Sequence, residues 1–296
     1  MSDRIRPGAG NTPPEHGGKR PVAGLRKQGR NLLRLPIGSR RSGRFPYSVA
    51  GIVLGLAVWE ASVRLGDVPH YVLPPLTEVL RTAVEESGYL LAETWVTFQE
   101  IVAGFLLSVI VGISLAFLIV SVRTIGKCIY PILVISQVIP KIVFAPVFLV
   151  LFGFGMTSKI LIAFLLSFFP VVIDTVLGLR STSVEALHFA RSTGAGSMRT
   201  LLLIRFPNAL PQMFAGLKLA ATFSVTGAVL SEFIGADQGL GRAMLKASAG
   251  RETDVVFAGV LYISAVGFGM FLLMQYLESV VAYWHVSQRR RRALAG

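Results

Sequence analysis

The sequence lacks most of what a soluble enzyme or a disulfide-rich secreted protein needs. It has a single cysteine, Cys128, so no disulfide can form within the chain. Only 15% of its residues are charged, whereas soluble domains have about 25%. Its four histidines, at positions 16, 70, 188 and 285, show no metal-ligand spacing. A G-x-x-x-x-G-K-[ST] loop is also absent, which excludes phosphate binding by that device.

Long uncharged segments are present instead. Hydrophobic residues make up 53% of the 296-residue chain, and residues 101–122 contain no charge at all. A helix over that segment would be about 33 Å long, enough to cross a hydrocarbon core of about 30 Å. Several such segments predict an all-α membrane protein with about six transmembrane helices. They lie at 46–65, 101–122, 128–154, 160–179, 211–234 and 255–284.

Positive charge is concentrated beside these segments. The net charge is +13, which in a soluble chain would suggest nucleic-acid binding. Here residues 1–46 hold eleven Lys and Arg, and 289–292 are four consecutive arginines. Because positive charge marks the cytoplasmic side of a bilayer, both termini and the 180–210 loop are predicted to be cytoplasmic. We expect 1–46 to be a disordered basic arm, 47–285 the transmembrane domain and 286–296 a basic tail.

Two further patterns concern how the helices lie. On the opposite side, the segment 71–99 has apolar residues at helical spacing with acids between them, which predicts an amphipathic helix on the outer surface. These apolar residues are Leu76, Val79, Leu80 and Val84.

In the second predicted span, small residues recur every four positions and predict close helix packing. They are Gly104, Ser108, Gly112 and Ala116.

The third predicted span is interrupted by Pro131, Pro140 and Pro146. Each proline removes a helix hydrogen bond, and a lipid-facing helix has nothing to replace it. We therefore expect this span to face a protein interior or a water-filled cavity.

Four charged residues lie within or at the ends of predicted spans, namely Lys141, Asp174, Lys218 and Glu232. A charge at mid-membrane costs roughly 2.5–3.5 kcal/mol, so such residues normally face the bundle interior. Two interpretations remain open from the residues alone. Either the four line a translocation path, in which Lys141 is able to meet an anion, or each of them reaches a membrane interface or forms a structural ion pair.

The loop between the fourth and fifth spans predicts a helical hairpin. Residues 185–191 favour a helix, and Gly194-Ala195-Gly196 breaks it. Ser197 is a candidate cap for a second helix over 198–206, which Pro207 would end. An ordered loop of this size usually has a function. Two possibilities are docking to a soluble partner and an amphipathic helix resting on the membrane.

The hairpin resembles the coupling loop of ATP-binding-cassette (ABC) importer permeases. That pattern is Glu-Ala-Ala, three residues, Gly, nine residues, Ile, one residue, Leu-Pro. Aligned on Gly194, the chain has Ala190, Ile204 and Pro207 at the expected positions. It departs from the pattern at three positions, with His188 for Glu, Phe189 for the first Ala and Phe206 for Leu.

The resemblance extends over roughly residues 47–285. The stretches "YVLPPLTEVL", "IPKIVFAPVFLVLFGFGMTSK" and "SEFIGADQGLG" are similar to segments of the nitrate/sulfonate/taurine-type permeases. Asp174 stands where the family pattern usually has Asn. The resemblance implies a type I ABC importer permease fold in a bacterial cytoplasmic (inner) membrane.

The same resemblance implies the partners and the site residues. Two copies of the permease would pair, two ATPase subunits would each receive the hairpin at 184–208, and a solute-binding protein would deliver the substrate. ATP and Mg would bind to the ATPase, with no cofactor, metal or catalytic residue in this chain. The substrate expected is a small nitrate-, sulfonate- or taurine-like anion, with a thiamine-precursor-like pyrimidine as the alternative. The ATPase-coupling residues would be His188, Phe189, Ala190, Gly194, Ile204, Phe206 and Pro207.

Two other function classes fit the sequence less well. An intramembrane enzyme would need a nucleophile–base pair or a metal cluster within the bilayer, and the histidine and cysteine positions provide no such spacing. An ion-coupled secondary transporter would not need an ordered hairpin at the cytoplasmic face, and the chain shows no long internal repeat.

Overall fold

The computed structural model describes residues 44–66 and 68–283, with side chains from residue 49 onward. The chain divides into a unit that ends at Gly51, of which only the start of the first helix is described, and a main unit that begins at Ile52. Within the described residues the chain is helical, with no strand. The predicted arm therefore lies almost entirely outside the described residues, and the predicted tail lies wholly outside them.

Eleven α-helices follow one another in the described part. They are α1 (Arg44–Leu65), α2 (Leu76–Glu85), α3 (Ser87–Ser121), α4 (Arg123–Ser136), α5 (Ala145–Phe152), α6 (Met156–Arg180), α7 (Val184–Ser192), α8 (Ser197–Thr200), α9 (Phe206–Gly235), α10 (Leu240–Gly250) and α11 (Thr253–Val281). A 3₁₀ turn (Lys141–Phe144) precedes α5, and a π-helical turn (Leu201–Arg205) joins α8 to α9.

Four stretches of described helix are long and apolar enough to cross a membrane: Ser87–Ser121, Met156–Arg180, Ser197–Gly235 and Thr253–Val281. The pair Arg123–Ser136 and Lys141–Phe152, bent by 94°, gives a fifth span if it is counted as one. The first predicted span, 46–65, is helical in the structure but is not among these five. Side chains of this helix are described only from residue 49, so whether it crosses the membrane stays a prediction.

The predicted surface helix over 71–99 is wrong in its extent. The structure divides this segment between α2 and the first turns of α3, which begins at Ser87. Val79 is completely buried, whereas Leu80 and Val84 are 51% and 74% exposed. The apolar spacing therefore identified a helix but not its buried face, because tertiary contacts, rather than periodicity, select which residues pack.

The helix α6 lies at the centre of the bundle, between α3 and α9. A Cβ added at Gly104 of α3 would lie 2.6 Å from the Cβ of Ala163, and one at Gly112 would lie 2.8 Å from a methyl carbon of Val171. From the other side, a Cβ at Gly227 of α9 would lie 2.7 Å from the Cα of Ala163. The predicted close packing of the small-residue stripe is thus confirmed within this chain, since Gly104, Ser108, Gly112 and Ala116 are all buried.

The proline-rich third span is broken, as predicted, but it is not enclosed by the rest of this chain. Pro131 lies inside α4, Pro140 precedes the 3₁₀ turn, and Pro146 lies in the first turn of α5, where its missing N–H is tolerated. Val138 and Val150 are 83% and 85% exposed. The expectation that this span faces an interior is therefore not met within the single chain. Among the described residues α4 packs on α3 and α6, and α5 packs on α6 and α9, which leaves their remaining faces exposed.

Candidate functional site

Two of the four predicted intramembrane charges line one pocket. The bend between α4 and α5 opens beside the middle of α6 and α9, and the pocket there, which we call the bend pocket, has a volume of about 480 Å³. Its lining residues are Gln137, Lys141, Ile142, Leu166, Phe169, Pro170, Ile173, Asp174, Leu219, Phe223 and Thr226. Side chains more than 80 residues apart in sequence therefore surround one mostly apolar space that has one basic and one acidic group.

Lys141 is held at the bend by its backbone and an aromatic ring. It is the first residue of the 3₁₀ turn, directly after Pro140. Its Nζ lies 4.8 Å from the centroid of the Phe169 ring on α6, where the ring face attracts a cation, and 3.5 Å from the carbonyl oxygen of Gln137. Within the described residues Lys141 forms no ion pair, so its charge remains available to a ligand.

Asp174 lines the bend pocket from α6 and is held there by a neighbouring amide. Gln212 donates from Nε2 to Oδ1 of Asp174 across 2.7 Å. Gly216 lets the two helices approach here, because an added Cβ would lie 2.5 Å from the Cβ of Asp174 and 2.9 Å from the carbonyl oxygen of Pro170. One carboxylate oxygen thus has an amide partner, and the carboxylate remains half-exposed to the pocket.

Lys218 and Glu232 do not line the bend pocket. Lys218 forms an ion pair of 2.7 Å with Glu278 of α11, and both side chains are mostly buried. Glu232 is completely buried near the other end of α9, where it accepts a hydrogen bond from Thr97 at 2.7 Å and one from the backbone N–H of Gly241 at 2.5 Å. The four predicted residues therefore divide into two that line a pocket and two that have protein partners.

Glu232 belongs to a buried group that the sequence analysis did not predict. Glu100 of α3 and Lys159 of α6 form an ion pair of 2.6 Å, with side chains 0% and 6% exposed. Lys159 also donates to the carbonyl oxygen of Gln238 at 3.2 Å. We call Thr97, Glu100, Lys159 and Glu232 the carboxylate cluster. Glu100 and Lys159 each directly precede a predicted span, so the sequence indicated that they lie in water or at the membrane interface. Because α3 and α6 begin before the predicted spans, both residues lie inside the bundle.

The loop before α10 closes over this cluster. Gly239 has a φ of +117° and donates its backbone N–H to Glu93 at 2.6 Å. A Cβ at Gly239 would collide with the carboxylate of Glu232. The next residue, Leu240, donates its backbone N–H to Thr97 at 2.8 Å. Glycine is required here by both the backbone conformation and the closeness of a carboxylate.

The hairpin between α6 and α9 has the predicted turn. The hydroxyl of Ser183 caps α7 by accepting from the N–H of Ala186 at 3.3 Å. At its other end, Ala195 donates to the carbonyl oxygen of Ala190, and Gly194 donates to that of Arg191, both across 3.0 Å. This is the Schellman arrangement, which requires a left-handed residue, and Gly194 has a φ of +73°.

The second half of the hairpin differs from the prediction. We call residues 197–207 the return arm. Gly196, not Ser197, is the residue that precedes α8, and Pro207 does not end a helix but lies in the first turn of α9. The π-helical turn over Leu201–Arg205 leads directly into α9. Proline lacks an N–H and would clash with a carbonyl four residues earlier in a regular helix, and the wider turn accommodates it.

The residues matched to the coupling pattern occupy two places in the hairpin. His188, Phe189 and Gly194 are exposed, with Phe189 68% exposed. Ala190 is buried, and Ile204, Phe206 and Pro207 are half-buried. The Phe206 ring lies 5.6 Å from that of Phe117 on α3. The first group forms the free surface, and the second attaches the hairpin to the bundle.

Gln137, Phe169, Pro170 and Gln212 are the residues around Lys141 and Asp174 that sequence reasoning missed. Pro170 was a visible signal, because a proline inside an apolar span marks irregular backbone. Gln212 had no such signal, since it follows Pro211 at what the sequence indicated was the start of a span.

Comparisons with known proteins give the context of this geometry. Residues 108–283 match the family described as "Binding-protein-dependent transport system inner membrane component". A probable ABC transporter permease protein of Haemophilus influenzae is 34% identical over 232 residues, covering 78% of this chain and 94% of that protein.

Several relatives are named for a transported substrate. The formylaminopyrimidine transport permease protein ThiX of Halalkalibacterium halodurans is 30% identical over 233 residues, 79% of this chain and 93% of that protein. The taurine transport system permease protein TauC of Escherichia coli is 28% identical over 245 residues, 80% and 89% of the two chains.

A solved structure of the MetNI methionine ABC transporter, in inward facing conformations, has the same fold. Its TM-score is 0.58 at 16% identity, covering 65% of this chain and 96% of that chain. This likeness confirms the predicted fold. The match to the family over more than half of the chain and the curated relatives agree, and the chain therefore belongs to the family of binding-protein-dependent transport system inner membrane components, as a membrane-spanning permease of the ABC importer type.

Proposed function

We propose that the bend pocket lies on the translocation path of this permease and contacts the transported solute. The observation that carries the proposal is that Lys141 and Asp174, from segments separated in sequence, line the same pocket at the middle of α6 and α9. Each has a charge that is costly to place in a membrane, and neither has an ion-pair partner in the described residues. A solute passing through the pocket would give both a partner.

The chemistry of the pocket favours a small solute that has an anionic group together with a donor. Lys141 can bind a sulfonate- or nitrate-like anion, and the carboxylate of Asp174 can accept from an ammonium or an amine. A taurine-like zwitterion meets both conditions, whereas nitrate meets only the first. TauC is named for taurine transport, which agrees with this choice.

A pyrimidine is the second candidate. Phe169 and Phe223 line the bend pocket and offer aromatic faces to a flat heterocycle, while Asp174 and Gln137 offer polar groups to ring nitrogens and an exocyclic amine. ThiX is named for formylaminopyrimidine transport, and its identity to this chain is of the same order as that of TauC.

The hairpin is the element that we propose docks to an ATPase. His188 and Phe189 present a polar and an apolar group on an exposed helix beside the Gly194 turn. In this proposal two permease copies pair in the bacterial inner membrane with both termini in the cytoplasm. Two ATPase subunits, which bind ATP and Mg, receive the hairpins, and a solute-binding protein docks on the other side.

Transport into proteoliposomes tests the path. The permease is reconstituted with the ATPase that co-purifies with it and with a binding protein, and uptake of labelled taurine, an aliphatic sulfonate and formylaminopyrimidine is compared. We expect Lys141→Met and Asp174→Asn to reduce uptake of the preferred solute at least tenfold, a loss that corresponds to about 1.4 kcal/mol. The matched control is Lys246→Met, which removes an exposed lysine of α10. Uptake that is unchanged in both pocket variants would show that the path lies elsewhere.

A further inference from the structure

A second cavity lies at the hairpin, away from the bend pocket. It has a volume of about 400 Å³ and is enclosed by α7, the return arm and the last turn of α3. We call it the hairpin cavity. Its polar lining consists of two arginines, Arg191 and Arg205, and three hydroxyl-bearing residues, Ser121, Ser197 and Thr200. The rest of the lining is apolar, and within the described residues no carboxylate lines this cavity, so its charged groups are all basic.

The polar groups of this wall have no partners in the chain. Among the described residues, Arg191 and Arg205 form no ion pair, and the hydroxyls of Ser121, Ser197 and Thr200 form no hydrogen bond. Each guanidinium has five N–H donors in a planar fork, which fits the oxygens of a phosphate group, and the hydroxyls add further donors. A ligand that brings several acceptor oxygens and negative charge would complement every one of these groups.

The residues of α7 that line the cavity are not those matched to the coupling pattern. Leu187 and Arg191, four residues apart and therefore on one face, line the cavity. His188 and Phe189 do not line it and are exposed.

The level of the cavity relative to the membrane indicates where the ligand comes from. Val120 and Ser121 line it, and they lie at the end of the uncharged run 101–122. That run is long enough to cross the hydrocarbon core, so the cavity lies at the level of the headgroups, where lipid phosphates are found and where basic residues are attracted to anionic lipid.

We infer that the hairpin cavity binds a phosphate group through Arg191 and Arg205, supplied by an anionic phospholipid headgroup or by free phosphate. This site is additional to the proposed translocation function and does not depend on it. A phosphate seated there would contact α7, the return arm and α3 together, and would stabilise the hairpin against the bundle.

Native mass spectrometry of the purified full-length permease tests the site. The probes are phosphatidylglycerol, phosphatidylcholine and inorganic phosphate, each added to the delipidated protein. We expect the wild type to retain phosphatidylglycerol in preference to phosphatidylcholine. The double variant Arg191→Gln, Arg205→Gln should bind phosphatidylglycerol at least about tenfold more weakly, because two charge-assisted contacts are lost. The control Arg199→Gln removes an arginine of the same return arm that does not line the cavity, and it should bind like the wild type.

A second variant protects the test against misfolding. Ser197→Asp places a carboxylate in the cavity wall at the first residue of α8, where an acidic side chain is favourable for the helix. It should repel the phosphate while leaving the thermal stability of the protein intact. Weakened phosphatidylglycerol binding in both variants supports the site.

The two sources are separated by the inorganic phosphate arm. Arginine-dependent binding of phosphatidylglycerol assigns a lipid headgroup, and arginine-dependent binding of inorganic phosphate alone assigns the free ion. If the double variant and Ser197→Asp bind both probes as the wild type does, the inference is wrong. It is equally wrong if the double variant keeps both probes and only loses the co-purifying ATPase, because the arginines then serve the partner protein.

Discussion

Glu100 and Lys159 join α3 to α6 through an ion pair of 2.6 Å that is almost completely buried. Glu232 of α9 lies in the same cluster and is held by Thr97 and by the backbone N–H of Gly241. Three spanning stretches of helix therefore meet at one polar group inside an apolar bundle. Because an unpaired buried charge is far more costly than a paired one, we expect this group to favour the arrangement of the three helices that brings Lys159 to the carboxylates.

Removing the lysine alone should destabilise the protein strongly. Lys159→Met leaves Glu100 and Glu232 buried without their cation, and loss of one partner of a buried pair typically costs about 3–5 kcal/mol. We expect a marked fall in the thermal unfolding temperature of the purified permease, measured by differential scanning fluorimetry in detergent. The double variant Glu100→Gln, Lys159→Met should recover part of the loss, and a double variant that is no more stable than Lys159→Met would contradict this account.

The contact between α6 and α9 depends on Gly216. Gly216→Ala would place a Cβ 2.5 Å from the Cβ of Asp174 and 2.9 Å from the carbonyl oxygen of Pro170, and such overpacking costs about 1–3 kcal/mol. We expect lower thermal stability, together with reduced solute uptake because Asp174 is displaced from the bend pocket. Gly269→Ala in α11 is the matched control, since an added Cβ there meets nothing within 4 Å. Equal stability of the two variants would show that the helices can separate without cost.

The turn at Gly194 should be required for coupling. Gly194→Asp introduces a side chain at a φ of +73°, a conformation that glycine adopts more readily than any other residue, and it puts a charge at the tip of the hairpin. We expect loss of the co-purifying ATPase, or loss of the ATP hydrolysis that a loaded binding protein stimulates. Gly196→Asp adds the same charge two residues away, at a φ of −67° where Asp is a good helix cap. If both variants lose the ATPase equally, the charge rather than the turn is responsible.

His188 stands at the Glu position of the coupling pattern, on the exposed side of α7. We predict that it pairs with a group of its own ATPase that differs from the usual partner of a glutamate, because an imidazole has an N–H donor, whereas an ionised carboxylate only accepts hydrogen bonds. His188→Glu should therefore weaken assembly with the native ATPase, measured as the ratio of the two proteins after affinity purification. Val184→Glu is the comparison, since Val184 is an exposed residue of the same helix outside the matched pattern. Assembly of His188→Glu at the wild-type level would rule the idea out.

Several features could be read from the sequence because they depend on local chemistry. The Gly194 turn follows from the conformational freedom of glycine, and the break at Pro140 follows from the missing proline N–H. The stripe from Gly104 to Ala116 indicated close packing because it repeats at helical spacing. The coupling pattern added residue positions that no physical argument from a single sequence would have supplied, and their roles stay predictions.

Other features could not be read in this way because two distant segments share them. Lys218 and Asp174 looked alike in sequence, as single charges within apolar runs. Only packing shows that Lys218 has Glu278 as a partner and that Asp174 faces a pocket. Pro207 was expected to end a helix, and only the return arm shows that a wider turn accommodates it.

The sequence by itself determined that this protein lies in a membrane, that it is helical and that it belongs among binding-protein-dependent permeases, since hydrophobic length and fixed motif spacing are properties of the linear chain. The tertiary structure decided which charges are buried with partners and which line cavities. The physical reason is that the free energy of a charge in a membrane depends on what lies within a few ångströms of it, and for Lys159 that neighbour is Glu100, 59 residues earlier in the chain.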